Sequence, residues 1–187
     1  SVPAFVTLDE VRIYNSTLSS DTIAQHYTEG LSSPSIYQQE PGGIKIEGTN
    51  SNRITNSLDE GLVSYWDLDE SSGTSLADSM GVNTGAATGT TVIAGAKNLA
   101  RSFNGSSDYI SVSDSTSLHV GGAFTIETWV KPNSFASRQT IFSTRATNPA
   151  GAWRLELGTG NGGTGRVSIT GLNTWIFDSI DNAISLN

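Results

Sequence analysis

Cysteine is missing altogether from the 187 residues. Disulfide frameworks and thiolate metal sites are therefore excluded. Small animal ectodomains usually carry disulfides, so a cysteine-free chain points to a microbial or viral extracellular protein. No apolar run reaches the length of a membrane span, and no signal-peptide pattern occurs. Met80 is the sole methionine, so a chain opening on Ser1 is expected to be processed from, or cut out of, something longer. Basic residues are scarce: ten Lys and Arg stand against eighteen Asp and Glu, a formal net charge of −8. A surface of that sign repels phosphate backbones, which argues against nucleic acid as a partner. It suits solubility in saline surroundings and the attraction of cations such as Ca²⁺.

What is abundant is Ser, Thr, Asn and Gly. Hydrophobic residues make up only 36% and charged residues 15%, a composition suited to short strands joined by polar turns. Four Trp, five Tyr and six Phe within patterned segments argue against disorder. Along PAFVTLDEVRIYN the alternation from Leu8 sets Leu8, Glu10, Arg12 and Tyr14 on one face. Val11 and Ile13 take the other face and are expected to point inward. LSSDTIAQHYTEG predicts one short helix, with Ser19 or Ser20 as its cap, Asp21 at its positive end and Gly30 as its stop. Residues 31–60 are turn-rich and polar and read as a linker or long loop.

From residue 61 the strand pattern sharpens. LVSYWDLDE puts Leu62, Ser64, Trp66 and Leu68 on one face. Residues 71–91 are rich in Gly, Ser and Thr and show little periodicity. NLARSFNGSSDYISVSD predicts two strands around a turn at Asn104-Gly105-Ser106-Ser107. FTIETWVKP is the clearest strand, and further strands are expected at 139–144, 152–157, 166–170 and 175–178. The fold class is all-β, an antiparallel jelly-roll β-sandwich with one short helix near the N-terminus.

Three motifs carry a resemblance: Tyr65-Trp-Asp-Leu-Asp-Glu70, then Phe103-Asn-Gly leading to Tyr109-Ile110, then Phe124-Thr-Ile-Glu-Thr-Trp-Val-Lys-Pro132. In this order and spacing they resemble the first half of a laminin-G-like, concanavalin A-like jelly-roll domain. Residues 8–27, LDEVRIYNSTLSSDTIAQHY, resemble the closing strand and helix of the same family. The resemblance implies that 1–30 is the tail of one domain, 31–60 a linker, and 61–187 the first part of a second. The opening and closing segments of such a domain are expected to be sheet neighbours. Two accounts fit the unusual order: a junction between tandem domains, or strands exchanged between copies.

The resemblance also implies Ca²⁺. Asp69 and Glu70 on the opening strand and Asp9 on the closing strand are its candidate ligands, with Asp78 and Asp108 as loop alternates. Against this stands ordinary turn chemistry, which also places Asp in loops. Trp153 and Trp175, near Gly-rich turns, are candidates for stacking a sugar ring, while Trp66 and Trp129 read as packing residues. Catalysis is not expected. Asp67 and Asp69 share a strand face rather than facing each other across a substrate. His26 and His119 lie in unrelated segments and complete no zinc or nucleophile set. Asn15 and Asn104 fit the glycosylation sequon.

The expected function is a non-catalytic adhesion or carbohydrate-recognition module of a larger protein. The expected location is extracellular, on a cell or virion surface. Its partners would be a glycan or cell-surface ligand, neighbouring laminin-G-like domains or copies of itself. A structural subunit of a fibre, appendage or virion, and an accessory domain of a polysaccharide-degrading enzyme, are the alternatives.

Overall fold

Strands dominate because β-branched and aromatic residues recur at two-residue spacing between Gly-, Ser- and Asn-rich breaks. A computed structural model describes residues 2–31, 59–134, 138–144, 153–158, 167–171 and 174–178. The expected linker over 31–60 lies almost wholly outside the described residues. Among them the chain is mostly β, in antiparallel sheets, with one N-terminal helix.

The first sheet is organised around β2 (Val6–Tyr14). One edge of β2 pairs antiparallel with β9 (Thr125–Pro132) along nearly its whole length. Two strands share the opposite edge. β3 (Leu62–Trp66) takes residues 11–14 and β7 (Leu99–Ser102) takes Thr7 and Leu8. β6 (Thr91–Ala94) pairs outside β7. The register Val11↔Trp66 through Tyr14↔Leu62 makes the closing-type and opening-type segments sheet neighbours within one chain, whereas the motif reading assigned them to different domains or to different copies.

β4 (Ser75–Leu76), β5 (Gly85–Thr88) and β8 (Tyr109–Val112) form a second, smaller sheet. The third begins with β1 (Val2–Pro3), parallel to β10 (Gln139–Ser143). It continues as an antiparallel meander through β11 (Trp153–Leu157), β12 (Val167–Gly171) and β13 (Thr174–Asp178). These last four strands fall where the alternation placed them. β4, β5 and β6 were not legible, being two to four residues long and built largely from Gly, Ala and Thr.

All three sheets contribute to one core. Val6, Leu8 and Val11 of β2 meet Trp66 and Leu68, Leu76 of β4, Ala87 of β5, Phe103 and Leu157 of β11. Each large apolar side chain fully removed from water there contributes about 1.5–3 kcal/mol. The strict alternation expected for β2 fails at one point. Its register slips between Asp9 and Arg12, and Glu10 sits at φ 53°. This β-bulge adds a residue to β2, so Leu8 joins Val11 on the core side instead of opposing it.

Helix α1 (Ser20–Leu31) packs on the other face of the first sheet. Ser19 is its cap, the Oγ accepting the backbone N–H of Thr22 at 3.1 Å. The helix runs one residue past Gly30, the expected stop. His26 anchors it. The imidazole is buried, its Nδ1 lies 2.7 Å from Glu127 Oε2 on β9, and its ring stacks on Tyr14. The next residue, Tyr27, stacks against Trp129 with ring centroids 5.1 Å apart.

Candidate functional site

The bulge in β2 has a chemical consequence. It turns two consecutive carboxylates, Asp9 and Glu10, into the protein, where they are 2% and 1% exposed. Burying charge is costly unless partners are supplied, and the neighbouring elements supply them unequally.

Glu10 is well attended. Its Oε2 receives Arg12 Nη2 at 2.6 Å and the Tyr65 hydroxyl at 2.7 Å, and Oε1, which is buried without a hydrogen bond, has Lys97 Nζ at 3.7 Å. Arg12 in turn lies over the Tyr65 ring, 4.2 Å from its centroid. Burial, and then the hydrogen bond to Glu10, push the Tyr65 phenol well above its ordinary range.

Asp9 is less fortunate. Its Oδ2 accepts the Lys97 backbone N–H at 2.9 Å, but Oδ1 is buried without a hydrogen-bond partner. Burial, together with the charges of Glu10 and Asp69, pushes its carboxyl up to about 6 despite the backbone donors. The contact with the 95–98 turn requires Gly95, because a Cβ there would collide with Asp9 Oδ2 and the Leu99 carbonyl.

The DLDE segment after β3 closes the cluster. Asp69 accepts from Leu99 N at 2.8 Å and Asn98 Nδ2 at 2.9 Å. Glu70 accepts from Ala77 N at 2.6 Å, and its Oε2 lies 3.9 Å from Arg101 Nη2. Arg101, 2% exposed, donates to the Glu70 carbonyl at 3.1 Å. Burial, with Asp69, Glu70 and Glu10 nearby, raises the Asp67 carboxyl. Thus Asp9, Asp69 and Glu70 share one neighbourhood, interleaved with Lys97 and Arg101.

Asp78 and Asp108 stand apart from it. Asp78 accepts four backbone N–H groups: Tyr65 at 2.9 Å, Met80 at 3.0 Å, Val82 at 3.3 Å and Asn83 at 2.9 Å. Burial alone would raise its carboxyl, but these four donors hold it below the ordinary value. Asp108 closes the 104–108 turn by accepting from Asn104 N at 2.9 Å. Asn104 Oδ1 accepts from Ser106 and Ser107 in the same turn, around Gly105 at φ 72°.

The five candidate calcium ligands therefore do not assemble into one site. Among the described residues no three carboxylates or imidazoles converge on a point that a metal ion could share. The residues do not fit a calcium cradle. Asp78 and Asp108 are occupied as turn clasps, Asp9 and Asp69 are taken up by the 97–99 backbone and Asn98, and Glu70 by Ala77 N and Arg101. Trp153 and Trp175 are placed on β11 and β13, in register with Gly171 and Thr170 respectively. Their side chains lie outside those described.

Sequence reasoning missed Glu10, Arg12, Lys97 and Arg101 as a linked set, and missed Asn83 altogether. Asn83, 3% exposed, donates from its side-chain amide to Ser64 Oγ and Ser117 Oγ, and its backbone carbonyl accepts from Trp66 Nε1 at 2.7 Å. The one available signal was the pair of adjacent acids at 9–10 in a strand of mainly apolar residues, which a regular pleat could not bury together.

Among the described residues, each buried carboxylate outside β11 is hydrogen-bonded to a backbone N–H or to a cationic or hydroxyl side chain. Residues 104–187 match the family model described as Concanavalin A-like lectin/glucanases superfamily (Laminin_G_3). No curated protein and no solved structure matches the chain significantly.

Proposed function

We propose, from a chain whose residues 104–187 carry the concanavalin A-like lectin/glucanase match, that this is a non-catalytic carbohydrate-recognition or adhesion module of a larger secreted or surface protein. The observation that supports this reading best is how the acids are used. Glycoside hydrolysis needs two carboxyl groups facing a substrate from opposite sides, one of them protonated. Asp9, the acid pushed up to about 6, is almost fully buried, and its neighbours Glu10 and Asp69 are held by Arg12, Tyr65, Asn98 and Leu99. A scaffold stiffened in this way presents loops, and loops carry specificity.

A glycan array probed with the 187-residue chain tests the reading, alongside a reducing-sugar assay on the same polysaccharides. Binding without turnover is expected. Trp153→Ala and Trp175→Ala are expected to weaken binding roughly tenfold or more if either ring stacks a sugar. Robust hydrolysis by the chain alone would overturn the proposal. The array is read with and without calcium, and binding is expected to persist after chelation, since no three-ligand cradle occurs among the described residues.

A further inference from the structure

Among the described residues β9 is the longest strand at a sheet edge. Among the described residues Thr125–Pro132 pairs with β2 alone. Asn133 N donates to the Phe5 carbonyl at 2.9 Å, and Lys131 and Trp129 lie opposite Thr7 and Asp9. The odd-numbered residues of β9 therefore turn their backbone groups to β2. By the alternation of an antiparallel ladder, Ile126, Thr128 and Val130 turn theirs outward. Such an edge is a template for another strand.

Its sequence is self-complementary. We propose that β9 is a homodimer interface, in which two copies pair their β9 strands antiparallel about a two-fold axis at Trp129. In this register Thr128 and Val130 of each copy exchange backbone hydrogen bonds with Val130 and Thr128 of the other. Trp129 then faces Trp129, and Glu127 faces Lys131 on both sides of the axis. These are non-hydrogen-bonded pairs, where Cα atoms approach to about 4.5 Å and side chains interact most closely. Sliding the register by two residues in either direction removes both opposite-charge pairs.

The helix supports the same axis. Tyr27, stacked on Trp129, is 57% exposed, and Ile23, one turn earlier on the same helical stripe, is 46% exposed. A second copy across β9 brings two such stripes towards one another, as an isologous interface requires. This inference does not depend on glycan binding.

Sedimentation of the 187-residue chain over micromolar to millimolar concentrations is the test. A monomer–dimer equilibrium is expected, with amide-exchange protection that rises with concentration at Ile126, Thr128 and Val130. Lys131→Glu sets Glu against Glu and is expected to weaken the dimer at least tenfold. Glu127→Lys sets Lys against Lys, and mixing the two variants is expected to restore a heterodimer. Should Glu127→Lys lose the helix contact through His26 and fail to fold, Lys131→Glu and the exchange pattern on the unaltered chain decide the matter. A monomer throughout the range, a dimer indifferent to Lys131→Glu, or protection that rises elsewhere and not on β9 would each overturn the proposal.

Discussion

Asp78 and Asp9 are the same side chain in two buried settings, and they behave oppositely. Asp78 collects four backbone N–H donors, and its carboxyl is held low. Asp9 has backbone donors from the 95–98 turn, but also two acidic neighbours and an orphaned oxygen, and it is pushed up to about 6. The difference teaches that burial does not decide what an aspartate does in this protein. The number of donors aimed at it decides, and that is set by how many turns of backbone wrap each carboxylate. Asp78 is a structural clasp, whereas Asp9 is a strained acid that the bulge forces inward.

The largest expected effect lies beside Asp9. Arg12→Ala removes the main partner of buried Glu10 and is expected to destabilise the chain by about 3 kcal/mol in urea unfolding. A loss below that of an ordinary surface substitution would show that Lys97 and Tyr65 suffice. Next comes Asp78→Ala, which strands four backbone donors. A loss of about 2–3 kcal/mol is expected, with Asp78→Asn recovering part of it.

Asp9→Asn is expected to act in the opposite direction and to stabilise the chain near neutral pH by about 1–2 kcal/mol. The pH dependence sharpens the contrast. The carboxyl of Asp9 is raised in the folded state, so its contribution is full below about 4 and is lost as pH rises to about 6. Asp78 is lowered, so its contribution is present above the ordinary carboxyl range and is lost as pH falls. Stability curves of the two Asn variants against pH should therefore lose opposite slopes, and parallel curves would sink the comparison. The smallest effect expected is that of Ser19→Ala, about 0.5–1 kcal/mol, from loss of the α1 cap.

The motif strands, the helix and the Asn104 turn were legible because each is specified locally. β3 declares itself through Ser64 and Trp66, and Leu68 just beyond it, all buried as the alternation required. The site was legible only in part. Asp9, Asp69 and Glu70 were singled out and do meet, but as a charge network rather than as ligands of one ion. Lys97, whose backbone N–H reaches Asp9 and whose ammonium lies by Glu10, and Arg101, beside Glu70, sit some 30 to 90 positions away in sequence from these acids, and no local pattern links such residues. Leu8 was assigned to the wrong face because a bulge is invisible to a two-residue period.

By itself the sequence determined the all-β class, the N-terminal helix with its capping serine, and the outline of most strands. These follow from side-chain shape and spacing within a few residues. Only the tertiary structure decided that β2 has β9 on one edge and β3 and β7 on the other, and that its bulge buries two acids together. Edge pairing and charge balance depend on which distant backbone arrives alongside, and in this protein that is settled by the collapse of three sheets onto one core.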